Sequence, residues 1–160
     1  MSKVSKLIVS KSPEQTNAIG RRIGRFAPAG TVIAAYGELG SGKTCFAAGL
    51  GRGMGVDDLV VSPTYIFFRI YEGENDRNFA HIDAYRLEDL GEEEIALTGI
   101  EDCFARQNVV FVEWPGYIKD WLPEDTIRMQ IERGADDNER LLEFVYDPVK
   151  QGWLNEAFSY

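Results

Sequence analysis

Eight consecutive residues of this 160-residue sequence have the types and spacing best suited to a chemical role. They fit the spacing G-x-x-x-x-G-K-[ST] at every fixed position: Gly37, Glu38, Leu39, Gly40, Ser41, Gly42, Lys43 and Thr44. Glycines let a loop curl so that its N–H groups point inward at phosphate oxygens. The Lys43 ammonium can then reach the β- and γ-phosphates of a nucleotide, and the Thr44 hydroxyl can bind Mg²⁺. The pattern therefore predicts a nucleotide-binding P-loop, with a structural glycine-rich turn as the alternative.

The residues on either side supply the elements that a P-loop needs. An apolar run over 31–36 precedes the loop, as expected of a buried parallel strand. After the loop, apolar residues recur at every fourth position, which predicts a helix over 43–54. Glycine recurs in and just after this helix, which costs helical stability and suggests close packing on the sheet: Gly49, Gly51, Gly53 and Gly55.

A carboxylate follows the most apolar tetrapeptide of the chain. The run over 109–112 predicts a central strand, and Glu113 stands at its carboxyl end, as in a Walker B strand. Ligands of open parallel sheets collect outside the carboxyl ends of the strands. We therefore expect Glu113 to face the P-loop and to hold Mg²⁺ together with Thr44. A carboxylate that merely ends a strand at the surface is the alternative.

Two further segments could contribute to the same site. In a strand, His81, Asp83 and Tyr85 share one face, which indicates either a solvated surface or a site. Asp83 could orient water or hold a metal through a bound water, whereas His81 is better suited to a structural hydrogen bond than to base catalysis. Thr64 lies in a loop where many P-loop enzymes sense the γ-phosphate, although it could equally cap a turn.

Composition limits the class of protein. Lys and Arg number 17 against 26 Asp and Glu, a net charge of −9, so direct binding of DNA or RNA by this chain alone is not expected. The longest apolar runs are far too short to span a membrane or to form a signal peptide. Cys45 and Cys103 lack zinc or disulfide spacing, which favours free thiols in the cytoplasm. Cys45 is interpreted as a small packing residue, with a thiol activated by the helix N-terminus as the alternative.

The remaining pattern is that of one α/β domain over 1–160. Ser12, Pro13 and Gln15 predict a helix start with a capping box. The other expected elements are strands over 7–9, 65–71, 79–85, 126–132 and 140–146, two helices within 87–107 separated at Gly99, a loop over 114–123 and a short helix over 151–160. The segments 65–71 and 79–85 are expected to pair as a hairpin, as are 126–132 and 140–146.

Taken together, these motifs resemble the TsaE (YjeE) family of small P-loop ATPases in bacterial tRNA threonylcarbamoyladenosine synthesis. The resemblance covers 31–131, and its specific segments follow the P-loop: Ser62-Pro63-Thr64-Tyr65, His81-Ile82-Asp83-Ala84-Tyr85-Arg86-Leu87 and Val112-Glu113-Trp114-Pro115. The tail over 147–160 lies outside it. Family members often carry arginine where Ala48 stands, and Thr or Ser where Cys45 stands.

The resemblance implies a mixed, mostly parallel sheet with helices packed around it and antiparallel hairpins at its edges. It implies ATP and Mg²⁺ as cofactors, with Lys43 and Thr44 on the phosphates and metal, Glu113 in the Walker B role and Asp83 supporting hydrolysis. It further places Cys45, Thr64 and Trp114 at the nucleotide site. The implied partners are TsaD and TsaB, and tRNA would be met only through them.

Other P-loop classes fit less well. The sequence has no N/T-K-x-D stretch to read guanine and no arginine-rich lid after Glu113, which disfavours a GTPase and a small-molecule kinase. A non-catalytic, nucleotide-dependent scaffold would use the same P-loop and stays open. We expect an ATPase that is weak alone and stimulated by its partners.

Overall fold

The computed structural model describes residues 2–61, 63 and 67–159. Within them the chain forms seven strands: β1 (Val4–Ser10), β2 (Val32–Tyr36), β3 (Phe68–Glu72), β4 (Asn78–Asp83), β5 (Asn108–Glu113), β6 (Ile127–Arg133) and β7 (Arg140–Tyr146). The helices are α1 (Pro13–Phe26), α2 (Lys43–Gly53), α3 (Glu92–Leu97) and α4 (Trp153–Phe158), with short 3₁₀ helices at Tyr85–Leu87, Ile100–Phe104 and Pro115–Trp121.

All seven strands form one sheet in the order β1-β7-β6-β2-β5-β4-β3. The four middle strands β6, β2, β5 and β4 run parallel, while β7, β1 and β3 add antiparallel strands at the two edges. This confirms the predicted mixed α/β sheet with antiparallel edges. Because β2, β4 and β5 are parallel, the P-loop, Asp83 and Glu113 all follow or end strands at the same edge of the sheet.

Strand β5 separates two apolar cores, and all six of its residues are buried. Val109 and Phe111 face the core that α1 and α2 cover. Val110 and Val112 face a second core built with Ile100 and other residues of the segment between β4 and β6. Burial on both faces explains why this strand reads as a continuous apolar run.

Helices α1 and α2 touch backbone to backbone through glycines. A Cβ atom at Gly49 would lie 2.0 Å from the carbonyl oxygen of Asn17, and one at Gly53 would lie 2.0 Å from that of Arg21. Only Gly51 faces the sheet, where a Cβ atom would meet Phe79. The expectation that these glycines pack on the sheet is therefore wrong for Gly49 and Gly53, whose role is to admit α1.

The C-terminal segment packs on α1. The predicted terminal helix is present as α4, and it buries Leu154 and Ala157. The Arg22 Nε atom of α1 donates a hydrogen bond of 2.9 Å to the carbonyl oxygen of Ala157. The ring of Phe158 lies 5.2 Å from that of Phe144 on β7. The tail thus closes the core on the α1 side of the sheet.

The hairpin of β6 and β7 and the two helical segments on either side of Gly99 agree with the sequence expectations. The second strand of the other hairpin ends earlier than predicted. The Asp83 side chain accepts a hydrogen bond of 3.1 Å from the Tyr85 amide and turns the chain into the 3₁₀ helix Tyr85–Leu87. Tyr85 therefore does not share a strand face with His81, and residues 65 and 66 of the first strand lie outside the described residues.

Two smaller differences concern caps and loops. Ser12 caps α1 by accepting a hydrogen bond from the Gln15 amide, as predicted, but the Gln15 side chain accepts from the Lys11 amide and not from Ser12. The expected loop over 114–123 contains the 3₁₀ helix Pro115–Trp121, which begins at a proline.

Candidate functional site

The predicted P-loop connects β2 to α2 in a conformation that requires glycine. Gly40 and Gly42 have φ values of +79° and +110°, in the region that side chains disfavour. A Cβ atom at Gly37 would lie 2.6 Å from the Ile131 carbonyl oxygen. Gly42 is the N-cap residue that directly precedes α2, so the unpaired amides of the first turn of that helix lie directly after the loop. Such a helix start is suited to bind an anion.

Lys43 is a buried cation held at the loop. Its ammonium donates to the carbonyl oxygens of Gly37 and, at 3.4 Å, of Glu38. It also lies 3.8 Å from the centre of the Trp114 ring. Burial lowers the pKa of Lys43, and the carboxylates of Glu113 and Asp83 act in the opposite direction. A phosphate group at the loop would be a better partner for this ammonium than two neutral carbonyl oxygens.

Glu113 lies beside the P-loop, where the sequence placed it. It ends β5 opposite Ala35 of β2, and only 4% of its surface is exposed. The Thr44 hydroxyl lies 3.3 Å and 3.4 Å from its two carboxylate oxygens. A hydroxyl and a carboxylate at hydrogen-bond distance offer a divalent cation two oxygen ligands on one side.

His81 makes the kind of structural hydrogen bond that the sequence analysis favoured for it, and its partner is Glu113. It is fully buried, and its Nε2 atom lies 2.5 Å from a carboxylate oxygen of Glu113. The ring lies between those of Phe79 and Phe111, with centroids 6.0 Å and 5.8 Å away. Among the described residues its Nδ1 atom has no hydrogen-bond partner. A carboxylate oxygen accepts hydrogen bonds, so Nε2 is the ring nitrogen that carries the proton toward Glu113. His81 therefore donates to Glu113 and fixes its orientation.

A cavity of about 360 Å³ brings most of the predicted site residues together, although Gly37 and Glu38 do not line it. It is lined by Leu39, Gly40, Ser41, Gly42, Lys43, Thr44, Cys45, Asp83, Glu113 and Trp114. Asp83 lies opposite Glu113 on the neighbouring strand. Trp114 has a φ of +56°, and its ring meets Tyr85 edge-on at 5.0 Å. The prediction for Thr64 lies outside the described residues.

One side chain at the P-loop comes from an element far away in the sequence. Arg140 of β7 donates a hydrogen bond of 2.8 Å to the carbonyl oxygen of Ser41 and so ties the loop to the sheet edge. Nothing in the local pattern identifies this contact. The thiol of Cys45 lies 3.2 Å from the carbonyl oxygen of Pro13, and burial, with Glu14 nearby, raises the pKa of the thiol. This environment agrees with a packing role for Cys45.

The donor set fits Mg²⁺ better than a transition metal. Within residues 2–61, 63 and 67–159, no three His, Cys, Asp or Glu side chains gather into a metal cluster. Thr44 and Glu113 offer oxygen ligands alone, which suit Mg²⁺, and this ion usually completes its shell with phosphate oxygens and water.

The fold and the site define an α/β protein of the P-loop class, with a glycine-rich loop between a parallel strand and a helix and an acidic residue at the end of the adjacent strand. The chain belongs to the TsaE family, described as threonylcarbamoyl adenosine biosynthesis protein TsaE, because the family model matches residues 10–142.

Relatives and a solved structure agree with this family assignment. The chain is 35% identical over 130 residues to tRNA threonylcarbamoyladenosine biosynthesis protein TsaE of Bacillus subtilis, covering 81% of this chain and 79% of the relative. It is 33% identical over 133 residues to the protein of the same name from Treponema pallidum, covering 83% and 96%. The crystal structure of Bacillus subtilis YdiB superposes with a TM-score of 0.78 at 29% identity, covering 98% of this chain and 96% of that one. Across the described residues, no helix is long and apolar enough to cross a membrane.

Proposed function

We propose that this chain binds and hydrolyses Mg·ATP in support of threonylcarbamoyladenosine formation in tRNA, together with TsaD and TsaB. The observation that carries the proposal is the contact between Thr44 and Glu113. It joins the first turn after the P-loop to the end of the adjacent parallel strand, 3.3 Å apart, and the Glu113 carboxylate also acts on the Lys43 ammonium.

In this proposal, the P-loop and the start of α2 bind the nucleotide. The P-loop amides and the Lys43 ammonium hold the β- and γ-phosphates, and the ammonium exchanges its carbonyl partners for phosphate oxygens. Thr44 and Glu113 would hold Mg²⁺, and the ion would neutralise charge on the phosphates. His81 keeps the Glu113 carboxylate turned toward Thr44.

Hydrolysis requires a water molecule in line with the bond that breaks. The water oxygen bonds to the γ-phosphorus, the bond from that phosphorus to the bridging oxygen breaks, and ADP, phosphate and a proton are released. Asp83 is suited to orient the water because its carboxylate is half-buried, lies beside Glu113 and is itself held by the Tyr85 amide. Such positioning, with charge neutralisation, supplies most of the catalysis of phosphoryl transfer.

The role in tRNA modification rests on the names of the relatives, which are tRNA threonylcarbamoyladenosine biosynthesis proteins. The net charge of −9 suits a subunit that leaves tRNA to its partners. Hydrolysis would then reset the assembly of TsaD and TsaB and would not itself transfer the threonylcarbamoyl group.

The test is the rate of ATP hydrolysis by the chain alone and with purified TsaD, TsaB and substrate tRNA. We expect a low rate alone and strong stimulation by the complete mixture. Equal rates in both conditions would reject the proposed assembly, and no hydrolysis in either would leave a nucleotide-dependent scaffold.

Variants separate binding from chemistry. Lys43→Ala should abolish or severely weaken Mg·ATP binding, whereas Glu113→Gln and Asp83→Asn should retain nucleotide and lose turnover. The matched control is Glu124→Gln, an exposed carboxylate that precedes β6 at the opposite edge of the sheet. Normal binding by the Lys43 variant would reject the P-loop assignment, and normal turnover in both acidic variants would reject their catalytic roles.

A further inference from the structure

A second cavity, of about 380 Å³, lies at the other end of α2 from the P-loop. Four arginines line it: Arg21, Arg25, Arg52 and Arg77. We refer to this feature as the arginine cavity. At 1.5 Å per helical residue, Arg52 lies about 14 Å along α2 from Lys43, so the arginine cavity does not overlap the nucleotide site.

The close contact of α1 and α2 gathers three of these side chains. Arg21 and Arg25 are four residues apart and so share one face of α1. A Cβ atom at Gly53 would lie 2.0 Å from the Arg21 carbonyl oxygen and 2.9 Å from the Arg25 nitrogen. Because α2 approaches α1 so closely at this point, Arg52 is brought beside the two arginines of α1.

The fourth arginine is held by hydrogen bonds to the end of α1. Arg77 precedes β4, is buried, and donates hydrogen bonds of 2.8 Å and 2.6 Å to the carbonyl oxygens of Gly24 and Ala27. These bonds tie the turn between β3 and β4 to the end of α1. The guanidinium is therefore held in place at the cavity by the fold itself.

The charges of the arginine cavity are not balanced within the chain. Asp57 and Glu74 also line it, which leaves four guanidinium groups against two carboxylates in a protein of net charge −9. In the described part of the chain, Arg21 and Arg25 have neither a salt bridge nor a side-chain hydrogen bond. Within the same described residues, the single hydrogen bond that Arg52 donates is a long one of 3.4 Å to the carbonyl oxygen of Val56.

Helix electrostatics explains part of this arrangement. Arg25 and Arg52 lie in the last turns of α1 and α2, where cations interact favourably with the helix dipole. It does not explain Arg21, which lies in the middle of α1, or the buried Arg77. The two carboxylates of the cavity offset only part of the repulsion among the four guanidinium groups, and a bound anion would offset the rest.

We propose that the arginine cavity binds a compact anion that carries phosphate groups. Guanidinium groups match phosphate oxygens with paired hydrogen bonds, and several arginines around one cavity suit a ligand of more than one phosphate. A polynucleotide is disfavoured because it would extend beyond the cavity over an acidic protein surface. The site is independent of the proposed ATP site.

The test is a titration of the full chain with pyrophosphate without metal, followed through amide chemical shifts in ¹H–¹⁵N NMR spectra. The amides of Gly53 and Asn75 report on the arginine cavity, and those of Gly40 and Gly42 report on the P-loop. Two sets of shifts therefore distinguish binding at the two sites in a single experiment, whether or not the P-loop binds the probe.

We expect saturable shifts at Gly53 and Asn75. The double variant Arg21→Gln/Arg25→Gln should weaken this binding by about tenfold or more, because each lost charged hydrogen bond contributes substantially. The control variant Arg106→Gln removes one exposed positive charge elsewhere and should leave the affinity within about twofold.

Absent or non-saturating shifts at Gly53 and Asn75 would overturn the proposal. An equal loss of affinity in the control variant would also overturn it, because the affinity would then depend only on the net charge of the protein. The spectra also show whether the double variant is folded. If it is unfolded, the single variant Arg21→Gln, at an exposed site, replaces it in the titration.

Discussion

The carboxylate of Glu113 is held from two sides by residues on different elements. Thr44 approaches from the first turn of α2, and His81 donates from the neighbouring strand β4 at 2.5 Å. The aromatic rings around His81 keep its imidazole in one orientation. In the proposed ATPase, His81 therefore acts as a positioning residue, since it reaches the reacting atoms only through Glu113.

Replacing His81 should affect turnover more than nucleotide binding. We expect His81→Leu to lower kcat by about tenfold to a hundredfold, the range found when a partner of a metal ligand is lost, with little change in KM for ATP. His81→Gln places an amide N–H near the position of Nε2 and should restore most of the rate.

The measurement is kcat and KM at several Mg²⁺ concentrations, with thermal unfolding of both variants as the control for fold. Equal rates for the leucine and glutamine variants, at equal stability, would show that the hydrogen bond to Glu113 does not matter.

The two thiols differ in burial, which has a consequence for labelling. Cys103 is fully buried, and burial, with Asp102 nearby, raises its pKa from 9.0 to about 12. At pH 8 the native thiol is then almost entirely protonated, and the thiolate is the reactive form. We expect iodoacetamide to label Cys103 in urea but not in the native protein, and mass spectrometry measures the difference.

The same shift predicts the sign of a pH effect on stability. The folded protein holds the Cys103 proton more tightly than the unfolded chain, so the contribution of this thiol to the free energy of unfolding is complete below pH 9. That contribution is lost as the pH rises from about 9 to about 12. Native labelling of Cys103 at pH 8 as fast as in urea would contradict the assignment.

At the scale of elements, the contact of α1 and α2 is the feature most sensitive to small changes. Alanine favours a helix over glycine by about 1 kcal/mol, so a Gly→Ala change in an uncrowded helix stabilises it. At Gly49 the added methyl group would overlap the backbone of Asn17. Since backbone atoms cannot move aside as a flexible side chain can, the helices would have to separate.

We therefore expect Gly49→Ala to lower the free energy of unfolding by about 1–3 kcal/mol or more, measured by urea denaturation. The matched control is Gly116→Ala, because a Cβ atom at Gly116 meets nothing within 4 Å. That variant should stay within about 0.5 kcal/mol of the parent. An unchanged or increased stability of the Gly49 variant would show that the helices are not in the close contact described.

Seen across the whole molecule, the sequence predicts well what depends on neighbours in the chain. The P-loop spacing, the apolar run of β5 and the position of Glu113 at its end are local patterns, and the structure brings them together at one edge of the sheet. The order of elements follows from the same kind of pattern. The roles of these residues in binding and catalysis stay predictions.

What the sequence does not predict depends on strand register and on contacts between distant segments. The hydrogen bond from His81 to Glu113 exists because β4 pairs with β5 in one register, which a two-residue period alone does not specify. The contact of Arg140 with Ser41 joins residues 99 positions apart. The glycines of α2 indicate close packing, but not that α1, rather than the sheet, is the neighbour of Gly49.

The backbone contact of α1 and α2 also has a mechanical meaning. Two helices whose main chains touch cannot slide past each other as helices separated by flexible side chains can. A shift in the first turn of α2, where phosphate is proposed to bind, must therefore carry α1 with it, and α1 holds the C-terminal segment through Arg22. The two helices would therefore move as one rigid unit that connects the proposed nucleotide site to the C-terminal segment.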